Sequence, residues 1–308
     1  MVSFRYKDSN TVIHKLNPFC KLIWVSSILI FALIFDDPVY VCLLFLSTLP
    51  VIIVAKVWRE WISLMKYTVY LCLAIVIINA LVNHNGSHIL LQASFYIPLI
   101  GTLVITLEAI FFGLVMAVRL MAIISAFAIV TFTIHPDDLM LSMIKMRLPY
   151  KSVLVTSLST RFVPTLIADA ECISEVQRSR GLELDKGNLV QRIKSRMAIV
   201  IPLLSNSLDR TVQVAEAMEA RAFGSGEKRT YYKEIRISRI DGIALVIGFF
   251  TCAFGIFINL SGYGQYQFYP ALEGIHIDSF EWVMLSFLIF LLFSIILMAF
   301  VKRRVELD

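Results

Sequence analysis

An all-α fold of polytopic membrane helices with a long helical arm inserted before the last two spans is what this sequence predicts, on three observations. The first is composition: the 308-residue chain is 58% hydrophobic with 22 Phe, and its mean hydropathy of +0.78 lies well beyond that of a soluble domain. The second is length of run. Residues 19–35, 39–57, 61–82, 109–134, 243–260 and 282–301 are each apolar and bounded by charged, Pro- or Gly-containing turns, which gives about six spans. The last run holds no charge, and its length at about 1.5 Å per residue matches a hydrocarbon core about 30 Å thick. The third is charge placement, because Lys and Arg stay on the cytoplasmic side of a membrane protein.

With six spans, every Lys and Arg except Arg119 falls on one side: the N-terminal segment, the turn around Lys56 and Arg59, residues 145–239, and Lys302, Arg303 and Arg304. The opposite segments, 36–38, 83–106 and 261–281, hold none. Both termini and the central block are therefore expected in the cytoplasm. The same reasoning judges residues 89–106, apolar but interrupted by Pro98 and Gly101: as a full span they would put the seventeen basic residues of 145–239 outside, so a re-entrant or surface-lying segment is expected. The run at 19–35 lacks a small-residue cleavage site and is read as a retained helix. Three regions follow: a membrane part of about four spans (1–134), a cytoplasmic helical part (135–238) and a membrane part of two spans (239–308).

Each helix of the central block starts and stops on recognisable signals. Pro136-Asp137-Asp138 opens a short helix that Leu148-Pro149 closes, with carboxylates at the positive end of its dipole. A long helix over about 152–180 places Val155, Leu158, Phe162, Leu166, Ile173 and Val176 near one stripe, and Gly181 is its C-terminal cap. A second, over about 189–222, repeats the pattern with Ile193, Met197, Val200, Leu204, Leu208, Val212, Ala215 and Met218 and stops at Phe223-Gly224. Residues 185–188 supply the turn between them, so the two long helices should cross or pair. Neither is hydrophobic enough all round to be a span.

The ends of these two helices, Ser179-Arg180-Gly181 and Ala220-Arg221-Ala222, share a small-Arg-small pattern. A guanidinium forms bidentate bonds to a carboxylate, and small neighbours let another backbone approach closely. Either arginine alone is explained by neutralising the negative end of its helix dipole; two such ends point to a paired docking function. The upstream prolines, Pro164 and Pro202, keep unequal spacing to them, so no sequence repeat is involved.

At these residues the chain resembles the transmembrane T component of energy-coupling factor transporters, the EcfT/CbiQ family of prokaryotic importers. The resemblance covers most of the chain. It is carried by His14, Pro18 and Lys21; by Pro136-Asp137-Asp138-Leu139 with Leu148-Pro149; by Arg161-Phe162-Val163-Pro164 and Gln177-Arg178-Ser179-Arg180-Gly181; and by Ala215 through Gly224. Ser179 stands where the family usually has Ala, and Asn17-Pro18-Phe19 where Asp-Pro-Arg is common. The resemblance implies a non-catalytic subunit, multi-pass in the prokaryotic cell membrane, whose two arginine motifs dock two ABC ATPase subunits. A separate substrate-binding S component would capture a vitamin or metal ion such as cobalt. ATP and Mg would be bound by the ATPases, and no cofactor by this chain.

Several function classes are excluded or weakened. No Gly-x-x-x-x-Gly-Lys-Ser/Thr loop is present, and Gly224 to Lys228 has the wrong spacing for one. The positive charge follows membrane topology, so nucleic acid is not an expected partner, whereas the lipid bilayer is. A self-sufficient secondary transporter or channel is the alternative, yet the arm divides the spans four to two without the symmetry of an internal repeat. An intramembrane enzyme would need clustered nucleophiles, ligands or acid–base pairs, and no catalytic residue is assigned. The five cysteines are scattered singly, and His84 with His88 makes an incomplete ligand set, so no metal site is assigned. Trp58, Trp61 and Trp282 read as interfacial anchors. Arg119, inside the fourth span and too far from Glu108 to pair with it, must face protein or water; a contact within the chain and a contact with the S component are its two readings.

Overall fold

The structure, a computed structural model, describes residues 11–14, 16–83, 86–97, 101–135, 138–139, 142, 149–182, 189–225, 238–274 and 278–305. These form eight helices and a two-stranded sheet: α1 (Pro18–Ile34), α2 (Pro38–Ala55), α3 (Trp58–Val82), β1 (Ile89–Ile97), β2 (Gly101–Thr106), α4 (Leu107–Thr133), α5 (Tyr150–Ser179), α6 (Leu189–Ala220), α7 (Arg239–Leu260) and α8 (Ser279–Val305). The chain divides into two compact units, Met1–Leu139 with Ile235–Asp308, and Met140–Glu234. The short helix expected around 137–148 falls mostly outside the described residues, as do the turn at 185–188 and His84.

Local chemistry starts the membrane helices where polar caps meet apolar runs. Asn17 and Asp37 each accept a bond from the backbone N–H two residues on, at 3.1 Å from Phe19 and 2.7 Å from Val39, and each is followed by Pro at the first helical position. Thr106 caps α4 through Ala109 N, and Ser238 with Asp241 forms a capping box at the start of α7. In the first unit α4 is central: it packs on α3 and α2 most extensively and also on α1, which in turn lies against α7, with α8 on α7. The α4 face that does this is rich in small residues (Ala109, Gly113, Ala117, Ala122, Ser125, Ala126), as expected where membrane helices approach closely. Ile28, Phe31, Leu44, Ile52, Ile129, Phe132, Ile258 and Leu288 fill the core, and Gly255 leaves the space on α7 that the Phe31 ring occupies.

Buried polar groups inside this unit bond across helices. Ser125 Oγ accepts from Trp61 Nε1 at 3.0 Å and shares a 2.8 Å bond with Thr48 Oγ1, joining α2, α3 and α4. Trp24 Nε1 donates to Leu292 O at 3.0 Å, and Tyr40 OH to Glu281 Oε1 at 3.2 Å. Trp61 is thereby a core residue, only 7% exposed, and not the interfacial anchor expected of it; Trp58 and Trp282 are exposed.

Strands β1 and β2 pair antiparallel, with Ile89 opposite Thr106 and Ile97 opposite Gly101. The stretch expected to be re-entrant or surface-lying thus contains two strands rich in β-favouring residues, the second starting at Gly101, while Pro98 lies outside the described residues. Glu108 pins the base of this strand pair, accepting from Ser87 Oγ and His88 N at 3.0 Å, with His88 Nδ1 2.8 Å away.

Among the described residues six helices are long and apolar enough to cross a membrane, making this a multi-pass membrane protein, but their membership differs from the sequence reading. Helix α1, with 17 residues, falls short of that length, though it remains within the range of short spans. Lys151–Ser179 meets the threshold as the least apolar of the six. Its first half holds only Lys151 and Arg161 among charged residues, whereas Asp169, Glu171, Glu175 and Arg178 crowd the second.

Candidate functional site

The second unit is built from α5 and α6, which run antiparallel. Gln177 Nε2 donates to Ala198 O at 3.5 Å, and Arg210 pairs with Asp169 at 3.0 Å, so contacts that advance along one helix retreat along the other. On α5 the stripe anticipated from sequence is half-buried at Leu158, Phe162, Leu166 and Ile173, whereas Val155 and Val176 at its ends are exposed. On α6 the outcome is reversed. Ser195, Ala198, Ile199, Pro202, Leu203, Ser207, Arg210 and Val214 are half-buried, whereas Ile193, Met197, Val200, Leu204, Leu208, Val212 and Ala215 of the anticipated stripe are exposed and only its last member, Met218, is half-buried. The half-buried side combines small residues and an ion pair with Ile199, Leu203 and Val214, which leaves the exposed apolar side chains for another surface.

Both arginine motifs end their helices in the same way. After Ser179, Arg180 is the C-cap, Gly181 has φ 86°, and the N–H groups of Gly181 and Leu182 bond Arg178 O and Gln177 O at 2.9 and 3.0 Å. After Ala220, the N–H groups of Ala222 and Phe223 bond Glu219 O and Met218 O at 2.8 and 2.9 Å, and Ala222 has φ 53°. This is the Schellman motif twice over, with the left-handed residue supplied once by glycine and once by alanine. The consequence is geometric: the helix carbonyls are already satisfied by backbone N–H groups, so neither guanidinium is needed to cap them. Ser179, Arg180, Gly181, Ala220, Arg221 and Ala222 are all exposed, and among the described residues neither arginine side chain makes a hydrogen bond or ion pair. Measured from the Gln177–Ala198 contact, Arg180 lies three residues onward along α5 and Arg221 twenty-three along α6 in the other direction, a separation of roughly 35 to 40 Å at 1.5 Å per residue.

Arg119 sits elsewhere, in the first unit. Its Nη2 donates to Asp36 Oδ1 and Phe35 O, both at 2.8 Å, so its partner is the α1–α2 turn of its own chain. That turn is held in place by Gly264 O, which accepts from Asp36 N and Asp37 N. No group of three or more His, Cys, Asp or Glu suited to a metal ion occurs among the described residues. Sequence reasoning missed two further charged contacts. Lys21 Nζ donates to Thr133 O at 2.9 Å and His14 O at 3.3 Å, and Lys302 Nζ to both Asp241 oxygens at 2.9 and 3.0 Å. The signal available was Lys21 itself, a lone cation in the first turn of an apolar run.

The family model described as cobalt transport protein, CbiQ, matches residues 9–232, a stretch that contains both arginine motifs. Among curated proteins, the energy-coupling factor transporter transmembrane protein EcfT of Bacillus selenitireducens is 27% identical over 251 residues, 79% of this chain and 91% of that protein. Its counterpart in Streptococcus equi subsp. equi is 29% identical over 263 residues, 82% and 94% of the two chains. That of Ruminiclostridium cellulolyticum is 28% identical over 267 residues, 84% and 96%. With matched residues spanning most of the chain and the helical architecture that they describe, this protein belongs to the EcfT/CbiQ family of membrane transport proteins.

Proposed function

We propose that this chain is the coupling subunit of an energy-coupling factor importer in a prokaryotic cell membrane, with both termini and the Met140–Glu234 unit on the cytoplasmic side. Arg180 and Arg221 each dock one ABC ATPase, whose own sites hold ATP and Mg, and a membrane-embedded S component brings the vitamin or metal ion. The observation that carries this reading is the pair of exposed guanidiniums, without a partner among the described residues, on two identically capped helix ends. A backbone-satisfied C-terminus frees its arginine for an outside carboxylate, and a separation of tens of ångströms suits two partners better than one.

The movement follows from the same geometry. ATPase closure displaces the two tips, and α5 and α6, tied by the Asp169–Arg210 pair, move as packed helices. The exposed stripe from Ile193 to Val212 is the surface by which α6 passes that displacement to membrane-embedded partners, since an apolar face of this extent is stable only when covered.

Charge reversal tests the docking. In Arg180→Glu/Arg221→Glu, copurification of the two ATPases with this chain should be lost, because a buried guanidinium–carboxylate pair deprived of one partner typically loses about 3 to 5 kcal/mol. Wild-type recovery of both ATPases with the double variant would refute the reading.

A further inference from the structure

The chain leaves the membrane unit after α4 and rejoins it at α7, and two adjacent residues in the first turn of α1 touch both junctions. Lys21, 2% exposed, donates to Thr133 O, one of the last carbonyls of α4, and to His14 O in the segment preceding α1. Asp138, five residues beyond α4, interacts with it electrostatically. Cys20 Sγ donates to Asp241 O at 3.6 Å in the first turn of α7. Asp241 is fully buried; its carboxylate accepts from Ser238 N at 3.1 Å and from Lys302 Nζ in the last turn of α8.

Each charge meets a helix end of opposite polarity, Lys21 that of α4 although it is itself in the first turn of α1. Lys21 and Lys302 lie at helix C-termini, against the orphan carbonyls of α4 and in the final turn of α8, and Asp241 lies at the N-terminus of α7. Buried charges that are hydrogen-bonded on several sides hold one arrangement firmly, because any displacement leaves an ion without its partners. The end of α4 and the start of α7, where the chain leaves and rejoins the membrane unit, are thereby fastened to α1 and α8, in addition to the cross-helix hydrogen bonds of Ser125, Trp24 and Tyr40.

We propose that Lys21 and Lys302 are positioning residues for transport: through Thr133 and Asp241 they transmit displacement of the central unit to the membrane helices α1 and α8. This rests on the coupling function proposed above. Without the two ammonium contacts the unit would still dock and respond to ATP, but its junctions would slip against the membrane helices.

The test uses the whole complex with its ATPases and S component in lipid, with Cys42, Cys172 and Cys252 replaced. Spin labels at Leu73→Cys and Leu297→Cys, exposed positions on α3 and α8, report movement of membrane helices on adding ATP. Labels at Glu175→Cys and Glu216→Cys, exposed near the two tips, report movement of the central unit. In Lys21→Met and in Lys302→Met the ATP-dependent shift between the tip labels should persist while that between the membrane labels is lost; Lys21→Arg, which keeps a buried cation, should restore it. A membrane shift equal to wild type in both Met variants would overturn the proposal, and so would loss of both shifts together, which marks a merely structural role. Should Lys21→Met fail to accumulate, Lys302→Met reads the same quantity. A wild-type complex whose tip labels do not respond to ATP would overturn the coupling function itself, an outcome that the tip pair alone reveals.

Discussion

Gly181 and Ala222 occupy the same position in two copies of one helix-ending motif, at φ 86° and 53°, each following the exposed arginine of its motif. Glycine reaches this left-handed region without strain, whereas a Cβ there costs about 1 to 2 kcal/mol. The second tip therefore holds its backbone against a strain that the first does not have. Ala222→Gly should stabilise the end of α6 by about 0.5 to 1 kcal/mol after the larger unfolded-state entropy of glycine is discounted. Gly181→Ala should weaken the end of α5 by about 1 kcal/mol. Amide hydrogen exchange at Leu182 and Phe223 reads both, with slower exchange expected at Phe223 in the first variant and faster exchange at Leu182 in the second.

Arg119 and Asp36 form an ion pair with one side chain mostly buried and the other half-exposed, so its strength lies between surface and interior values. Arg119→Met and Asp36→Asn should each destabilise the solubilised protein by about 1 to 2 kcal/mol, and a double-mutant cycle should show that the two losses overlap. Because the arginine is occupied within its own chain, Arg119→Met should leave recovery of the S component unchanged per folded molecule. Selective loss of that subunit would restore the contact with the S component as the role of this residue.

Ser125 satisfies two neighbours at once, Trp61 and Thr48, in the middle of the helix packing. Ser125→Ala removes the acceptor of a buried indole N–H and should lower stability by about 1 to 3 kcal/mol, the loss typical of an orphaned donor. Thermal unfolding of Ser125→Ala beside Ser125→Thr, which retains a hydroxyl, separates the lost hydrogen bond from a change of volume.

What was legible in the sequence divides by the range of the interactions. Helix starts depend on nearest neighbours, and Asn17-Pro18 and Asp37-Pro38 announce theirs, as Gly181 announces the end of α5. The pairing of β1 with β2 was hidden because a short apolar run looks alike as strand, buried helix or interfacial segment until its partner is known. Which stripe of α6 meets α5 was equally hidden: the half-buried side through Ala198, Pro202, Leu203, Arg210 and Val214 and the exposed apolar stripe both recur at helical spacing, and periodicity shows that a face is apolar but not what covers it. The arginine motifs were visible as residues, but their freedom was not, since Arg180 and Arg221 are spared from capping only by backbone bonds that the fold reveals. Lys21 and Thr133, or Asp241 and Lys302, are tens of residues or more apart in sequence and could be joined only by the packing of α1, α4, α7 and α8.

The central claim is that both arginine-tipped ends meet ATPase subunits, and the most direct measurement is site-specific photo-crosslinking in intact cells from a reactive residue at 179 and, separately, at 220. Adducts with an ABC ATPase from both positions are the predicted result. Adducts from either position only with this chain itself, or with no ATPase, would contradict the account.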